Sequence, residues 1–294
     1  LKPSRGRVSA GPQIDEGGFG LAMNFAQTRT MRDTAAMLDC LSVPQAGDPF
    51  HIPTPEHGFM PWLKRRPEKL RIAWTTAPTM DAPVDAEVAA AVEATAQQLA
   101  DMGHIVEQAD LAFDQEQASR MMCAIWFFGF HKTLDKIGSR TGRVPGPDNL
   151  EPVTWEIYKR ARDMDPYEFL DGLAWLNQAR REIGRFFARH DVLLSPATAQ
   201  VSPPHGPYGL NLPGLSAEEY MVMADEPVQF AFPYNVAGTP AISLPLAMHS
   251  NGLPIGVQLG AGPAREHLLI ALGAALEEAM PWADRLPPLH VTMA

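Results

Sequence analysis

The 294-residue chain predicts an α/β fold, a single domain in which a mixed β-sheet is flanked by helices. Three observations carry this. Between Leu70 and Asp110 a strand, a helix and a second strand follow one another, the pattern of a βαβ unit with parallel strands and a right-handed crossover. A helical middle, about 114–190, then leads into another strand. Near the end, two apolar runs flank Asn251-Gly252, a dipeptide that favours a two-residue hairpin turn, so an antiparallel pair joins the parallel one.

The elements follow in order. The opening "LKPSRGRVSAGP" contains Pro3, Gly6, Gly11 and Pro12, which break both the apolar core of a signal segment and the helix of a transit peptide. It reads as an interior loop of a longer chain, exposed when that chain is cut. Thr30 followed by Asp33 has the form of an N-terminal cap, with Met37, Leu38 and Leu41 on one face of a helix over 30–42. Six prolines between Pro44 and Pro67 make 43–69 an extended surface loop. "LRIAWTT" reads as a buried strand. From Asp85, Val88, Val92, Leu99 and Met102 recur at helical spacing until Gly103, and "HIVEQAD" alternates as a second strand. Helices are expected over 114–137, 152–162 and 165–189, and the first carries Trp126, Phe127, Phe128 and Phe130, too many for one buried face. "DVLLSPAT" is a strand running into a loop. "FPYNVAGTPAISLP" is a loop rich in fixed and permissive backbone residues that feeds the hairpin, and a closing helix over 263–280 packs Leu268, Leu269, Leu272 and Leu276.

Composition limits the function classes. With 46% hydrophobic and 20% charged residues the chain can bury a sizeable core. A formal charge of -10 repels phosphate, so no nucleic-acid partner is expected. Cys40 and Cys123 are far apart and form no C-x-x-C pair, which fits a reducing, cytoplasmic setting. The longest apolar stretch in the middle, "MMCAIWFFGF", is ten residues, short of the roughly 18 a spanning helix needs, so no membrane role is expected.

Residue patterns alone select no catalyst. There is no G-x-S-x-G elbow, and Ser4 beside Lys2 and Arg5 reads as a basic loop with a capping hydroxyl rather than a Ser/Lys pair. His51 and His57 lack the flanking glutamate of a metalloprotease, so no metal site is expected. Glu151, Glu156, Asp163, Asp165 and Glu168 read as a solvated helix face.

Taken together, "LKPSRGRVSAGP", "FAQTRTMRDTAAMLD", "DVLLSPAT" and "FPYNVAGTPAISLPLAMHSNGLPIGVQLGAG" resemble the carboxyl-terminal part of an amidase-signature hydrolase. "VTWEIYKRARDM" is similar to the bacterial branch that includes 6-aminohexanoate cyclic dimer hydrolase. The resemblance implies an α/β/α fold whose amino-terminal part is missing here. It also implies acyl transfer by a nucleophilic serine, a second serine in a cis peptide and a lysine, all upstream of Leu1, so no residue of this chain is carried over as catalytic and the chain alone is expected to be inactive. No cofactor is implied. The expected partner is a small-molecule amide, and the full-length parent admits a homodimer. Substrate-pocket candidates are Trp126, Thr198, Pro233, Tyr234 and Asn235, while Arg29 and Asp33, as a cap and its ion partner, and Gly238 read as structural. The alternatives are a subunit-A-type amidotransferase and a non-catalytic binding module derived from an amidase.

Overall fold

A computed structural model describes residues 1–290 apart from 13, 15, 81 and 113; residues 291–294, the end of the single domain expected over 1–294, lie outside the described residues. Helix α1 (Met31–Leu41) starts where the cap predicts, with the Thr30 side chain accepting from the Asp33 N–H. The proline-rich segment carries hydrogen-bonded turns at 45–48 and 55–58 and a short 3-10 helix at Met60–Lys64. Strand β1 (Arg71–Trp74), helix α2 (Ala86–Asp101) and strand β2 (Ile105–Gln108) form the expected parallel unit. The Asp85 carboxylate caps α2, and Gly103 follows its end at φ +94°.

The middle is four helices rather than three. In place of one helix over 114–137 stand α3 (Gln115–Phe127) and α4 (Phe130–Thr141). They part because Gly129 takes φ +74°, a left-handed conformation that no α-helix continues. Helices α5 (Pro152–Arg162) and α6 (Pro166–Arg189) match the expected spans, each with proline in its first turn where the missing N–H costs nothing. Strand β3 (Val192–Pro196) is buried throughout. A capping box at Ser216 and Glu219 starts α7 (Ala217–Asp225), which the sequence reading missed. Residues expected as a loop form the short helix α8 (Phe232–Ala237), closed by Gly238 at φ +70°. Strands β4 (Ala241–Met248) and β5 (Pro254–Ala261) then pair antiparallel, and α9 (Glu266–Ala279) closes the described fold.

The hairpin turn is longer than the two residues expected. His249 donates its N–H to the Leu253 carbonyl at 2.9 Å, so five residues connect the strands. Both the N–H and the hydroxyl of Ser250 bond the Glu87 carboxylate, at 2.8 and 2.6 Å, and hold the turn against the start of α2.

The sheet runs β2-β1-β3-β5-β4, parallel across β2, β1 and β3 and antiparallel across β3, β5 and β4. Alternation sorts its two faces. Ile72, Val192, Leu194, Val257 and Leu259 pack with α1, α2 and α9, whereas Ala73 and Leu193 meet Phe186 of α6 on the other side. The architecture is helix, sheet, helix.

The opening segment overturns the expectation of an exposed loop. Lys2 exchanges two backbone hydrogen bonds with Ala241 of β4, at 2.7 and 3.0 Å. The Arg7 guanidinium meets the Glu266 carboxylate at 3.1 Å with both side chains almost fully buried, and Ser4 adds its N–H to the other Glu266 oxygen at 2.8 Å. Ser4 Oγ accepts from the Ala264 N–H at 3.0 Å, and Lys2 Nζ donates to the Pro3 carbonyl at 2.8 Å, so these two make no dyad with each other. Arginine and serine in a loop appear solvent-facing by type, but here the first turn of α9 supplies the anion that lets them be buried.

Candidate active site

A crevice opens where the parallel strands end, the position at which open α/β sheets present ligand sites. Past β1, Thr75 Oγ1 donates to Asp110 Oδ1 at 2.6 Å and accepts from the Ala77 N–H at 3.0 Å, tying the loops that follow β1 and β2. The Gln229 side chain, fully buried, holds the next turn: its Oε1 accepts from Thr79 and Met80 N–H groups at 2.6 and 3.1 Å, and its Nε2 donates to the Glu226 carbonyl at 2.9 Å. Pro78 and Thr79 wall two adjoining cavities, an inner recess of about 210 Å³ and an outer one of about 1020 Å³.

The recess is built on the sheet. Ser195, the alternate partner of Leu194 along β3, faces it together with Leu193, Phe230, Pro233 and Tyr234. Tyr234 lies flat on β5, where a Cβ at Gly260 would fall 1.9 Å from its ring, so glycine is what allows the approach. Burial pushes the Tyr234 phenol well above its ordinary value, with the Ser195 hydroxyl beside it acting the other way. Ser195 Oγ itself donates to the Pro196 carbonyl at 3.0 Å and accepts from the Gln258 amide at 3.4 Å, and among the described residues no base bonds it.

The outer cavity is made by helices. Ser119 and Cys123, one turn apart on α3, face Glu218 and Val222, one turn apart on α7. Arg160 of α5 bridges Glu218 at 2.6 Å and Glu168 of α6 at 2.5 Å, so three helices are joined at the mouth. Burial acts against the Arg160 charge, yet the two carboxylates outweigh it and hold its pKa above the usual value. Burial, with Glu218 and Asp225 adding to it, pushes the Cys123 thiol up to about 12, which keeps it protonated and a poor nucleophile at neutral pH. Burial also pushes the Asp225 carboxyl up to about 6. One oxygen of Asp225 and the Ser119 hydroxyl are buried without hydrogen-bond partners among the described residues.

Chemically, these walls can enclose and orient a ligand with an apolar body. Among the described residues no group of three or more His, Cys, Asp and Glu could hold a metal ion. No helix among them is long and apolar enough to cross a membrane.

The sequence-derived candidates divide. Pro233 and Tyr234 line the recess. Asn235 instead fixes the neighbouring loop, donating its amide to the Leu21 carbonyl at 2.8 Å while Arg5 bonds its backbone oxygen at 3.1 Å. Thr198 donates to the Gln200 carbonyl at 2.6 Å outside both cavities. Trp126 sits a turn beyond Cys123 on α3, 45% exposed. Gly238 caps α8, and a Cβ there would meet the Arg5 guanidinium at 2.7 Å. Arg29 and Asp33 are not ion partners as expected: Arg29 donates to the Arg285 carbonyl at 3.2 Å, and Asp33 pairs with Arg32 at 3.1 Å, because Arg29 precedes the extended N-cap Thr30 and lies outside the helix that carries Asp33. Sequence reasoning missed Thr75, Asp110, Gln229, Ser119, Cys123, Arg160 and Glu218. Only the Ser119–Cys123 spacing on a helix carries a visible signal.

A family model described as Amidase matches residues 1–270. The chain belongs to the amidase family. It is 33% identical over 303 residues to the 6-aminohexanoate-cyclic-dimer hydrolase of Paenarthrobacter ureafaciens, covering 98% of this chain and 60% of that protein. It is likewise 33% identical over 302 residues to the enzyme of that name from Pseudomonas sp. strain NK87. The solved structure of a 6-aminohexanoate cyclic dimer hydrolase complexed with substrate superposes with a TM-score of 0.87, at 31% identity, over 98% of this chain and 61% of that one. A bacterial aryl acylamidase of the amidase-signature family shares the fold, with a TM-score of 0.78 at 21% identity over 96% and 58% of the two chains. This amidase-family chain thus spans about 60% of the length of the curated relatives it matches.

Proposed function

We propose that this chain forms the carboxyl-terminal part of an amidase that hydrolyses a carboxamide C–N bond, and that the serine, cis-serine and lysine of the family mechanism precede Leu1. The observation that carries this reading is the family match over residues 1–270 by a chain that spans about 60% of its relatives' length, and the crevice at the strand ends, where among the described residues no nucleophile stands beside a base, fits it. Ser4 and Lys2, whose side chains bond Ala264 and Pro3, are absent from the residues that line it. In the complete protein the upstream serine attacks the amide carbonyl and the amine leaves as the acyl-enzyme forms. Water then releases the acid while this chain supplies the wall that positions the substrate.

The test is direct. The purified chain is expected to show no hydrolysis of simple carboxamides above background and no stoichiometric labelling by a serine-directed fluorophosphonate. Joined to a complete amino-terminal half, the same residues are expected to become active. Stoichiometric labelling of any serine in the chain alone overturns the upstream placement.

A further inference from the structure

Tyr234 is 2% exposed, and its hydroxyl is buried without a hydrogen-bond partner among the described residues. Buried phenols ordinarily have one, because the hydroxyl gives up its bonds to water on burial and must replace them. The fold makes room for the group at this spot: a Cβ at Gly260 would fall 1.9 Å from the ring and 2.4 Å from the hydroxyl oxygen, space that only glycine leaves on β5. Burial disfavours the phenolate, so the hydroxyl keeps its hydrogen at neutral pH.

The neighbouring hydroxyls are already engaged. Ser195 Oγ gives its hydrogen to the Pro196 carbonyl and takes the Gln258 amide, while Thr75 Oγ1 gives its own to Asp110 and takes the Ala77 N–H. Ser195, Thr75 and Asp110 line the inner recess of about 210 Å³ with Tyr234, and Leu193, Phe230 and Pro233 make much of the rest of its wall apolar. Asp110 is its one carboxylate, and among the described residues that line it there is no cation. Pro78 and Thr79 belong to the walls of both the recess and the outer cavity, so a group held in the recess can be one end of a ligand that fills both.

On the amidase reading above, we propose that Tyr234 is a specificity-determining residue that selects the substrate by charge: its hydroxyl donates to the oxygen of an uncharged carbonyl group that enters the recess, and a carboxylate is turned away. A neutral carbonyl needs no counterion and supplies the acceptor that the phenol lacks. A carboxylate would shed its water beside Asp110 with no cation in the wall, which apolar surroundings make costly. An ammonium brings only donors and leaves the phenol hydrogen unbonded.

Chemical-shift titration of the chain, carbon-13 labelled at the tyrosine ζ carbons, compares probes of similar size at neutral pH: propionamide, butanone, propionate and propylammonium. Propionamide and butanone are expected to move the Tyr234 signal, identified by its loss in Tyr234→Phe, and to bind about fivefold tighter than the two ions, the gain of one hydrogen bond. Tyr234→Phe is expected to weaken propionamide about fivefold with no fall in melting temperature, since it removes a hydroxyl that bonds nothing in the protein. Either ion binding as tightly as propionamide overturns the proposal, as does the absence of a saturable shift with propionamide. Unchanged propionamide affinity in Tyr234→Phe also overturns it, and a lowered melting temperature alongside would assign the hydroxyl to a bond within the protein. Cross-relaxation between the propionamide methyl and a tyrosine ring is expected in the unsubstituted chain, and its absence overturns the proposal whether or not Tyr234→Phe folds. Butanone separates the two readings because it is not an amide. Its Tyr234-dependent binding upholds the recess even if fluorophosphonate labels the chain and overturns the upstream serine; loss of the charge preference in an unlabelled chain strikes the recess alone.

Discussion

The opening segment and the crevice bury polar groups in opposite ways. Around the start of α9, Ser4 and Arg7 take both oxygens of Glu266, and the Ile52 and Pro53 carbonyls accept more of the guanidinium, leaving only Arg7 Nε unbonded. Burial pushes the Glu266 carboxyl up, but Arg7 and Ser4 outweigh it and hold it below the usual range. Among the described residues, the Ser119 hydroxyl on the crevice wall and an Asp225 oxygen at the end of α7, next to that wall's helix face, meet nothing. Burial is common to both regions, and satisfaction separates them: a segment that holds the fold closes its hydrogen bonds, while a wall that receives a ligand leaves some open.

The largest effect should come from breaking the closed region. Glu266→Leu leaves a buried guanidinium without its anion and is expected to cost about 3 to 5 kcal/mol in denaturant unfolding. Adding Arg7→Leu to that variant should recover most of the loss, because the uncompensated charge is then gone. A loss for the single variant no greater than that for the double would show that the pair is not a clamp and would dissolve the contrast.

Asp225 gives a smaller effect with a defined pH window. Its folded pKa, about 6, lies above the ordinary 3.8, so the folded state favours the protonated form. Stability from this group is full below about 4, falls as pH rises through about 6, and stays low above that. Asp225→Asn is therefore expected to stabilise the chain at pH 8 by on the order of 2 to 3 kcal/mol and to change little at pH 4. Parallel stability profiles for the two proteins across that window would remove Asp225 from the open class.

Ser119→Ala is the smallest change. Removing a buried hydroxyl that bonds nothing is expected to be neutral or to stabilise by up to about 1 kcal/mol. A loss above about 1 kcal/mol would mean that the hydroxyl has a partner in solution and that the wall is closed there too.

How much of this was legible depended on the range of the interaction. The cap at Thr30, the βαβ unit and the apolar face of α9 rest on neighbours a few residues apart, and periodicity exposes them. Pro233 and Tyr234 came from family likeness and do line the recess. Gln229 was silent because its partners, Thr79 and Met80, lie about 150 residues away, and the Arg160 bridge joins three helices whose sequence separation hides it. Arg7 misled for a related reason: its residue type predicts solvent, and only the fold brings Glu266 to it across 259 residues. The break at Gly129 was visible as a glycine, but the apolar run before it and Phe130 after it outweighed it.

Strand β3 serves two masters by parity. Odd and even positions point to opposite sides, so Val192 and Leu194 belong to the large core while Leu193 and Ser195 belong to the recess. Opposite them on β5, Leu259 and Gln258 divide the same way, and the pairing Ser195↔Gln258 keeps the two polar residues together. Positional error in this wall is consequently quantised. A slip of one residue would not displace Ser195 by a fraction of an ångström; it would send the hydroxyl into the hydrocarbon layer and bring a leucine out in its place. The geometry of the recess is inherited whole from a counting rule in the sheet, and intermediate settings do not exist.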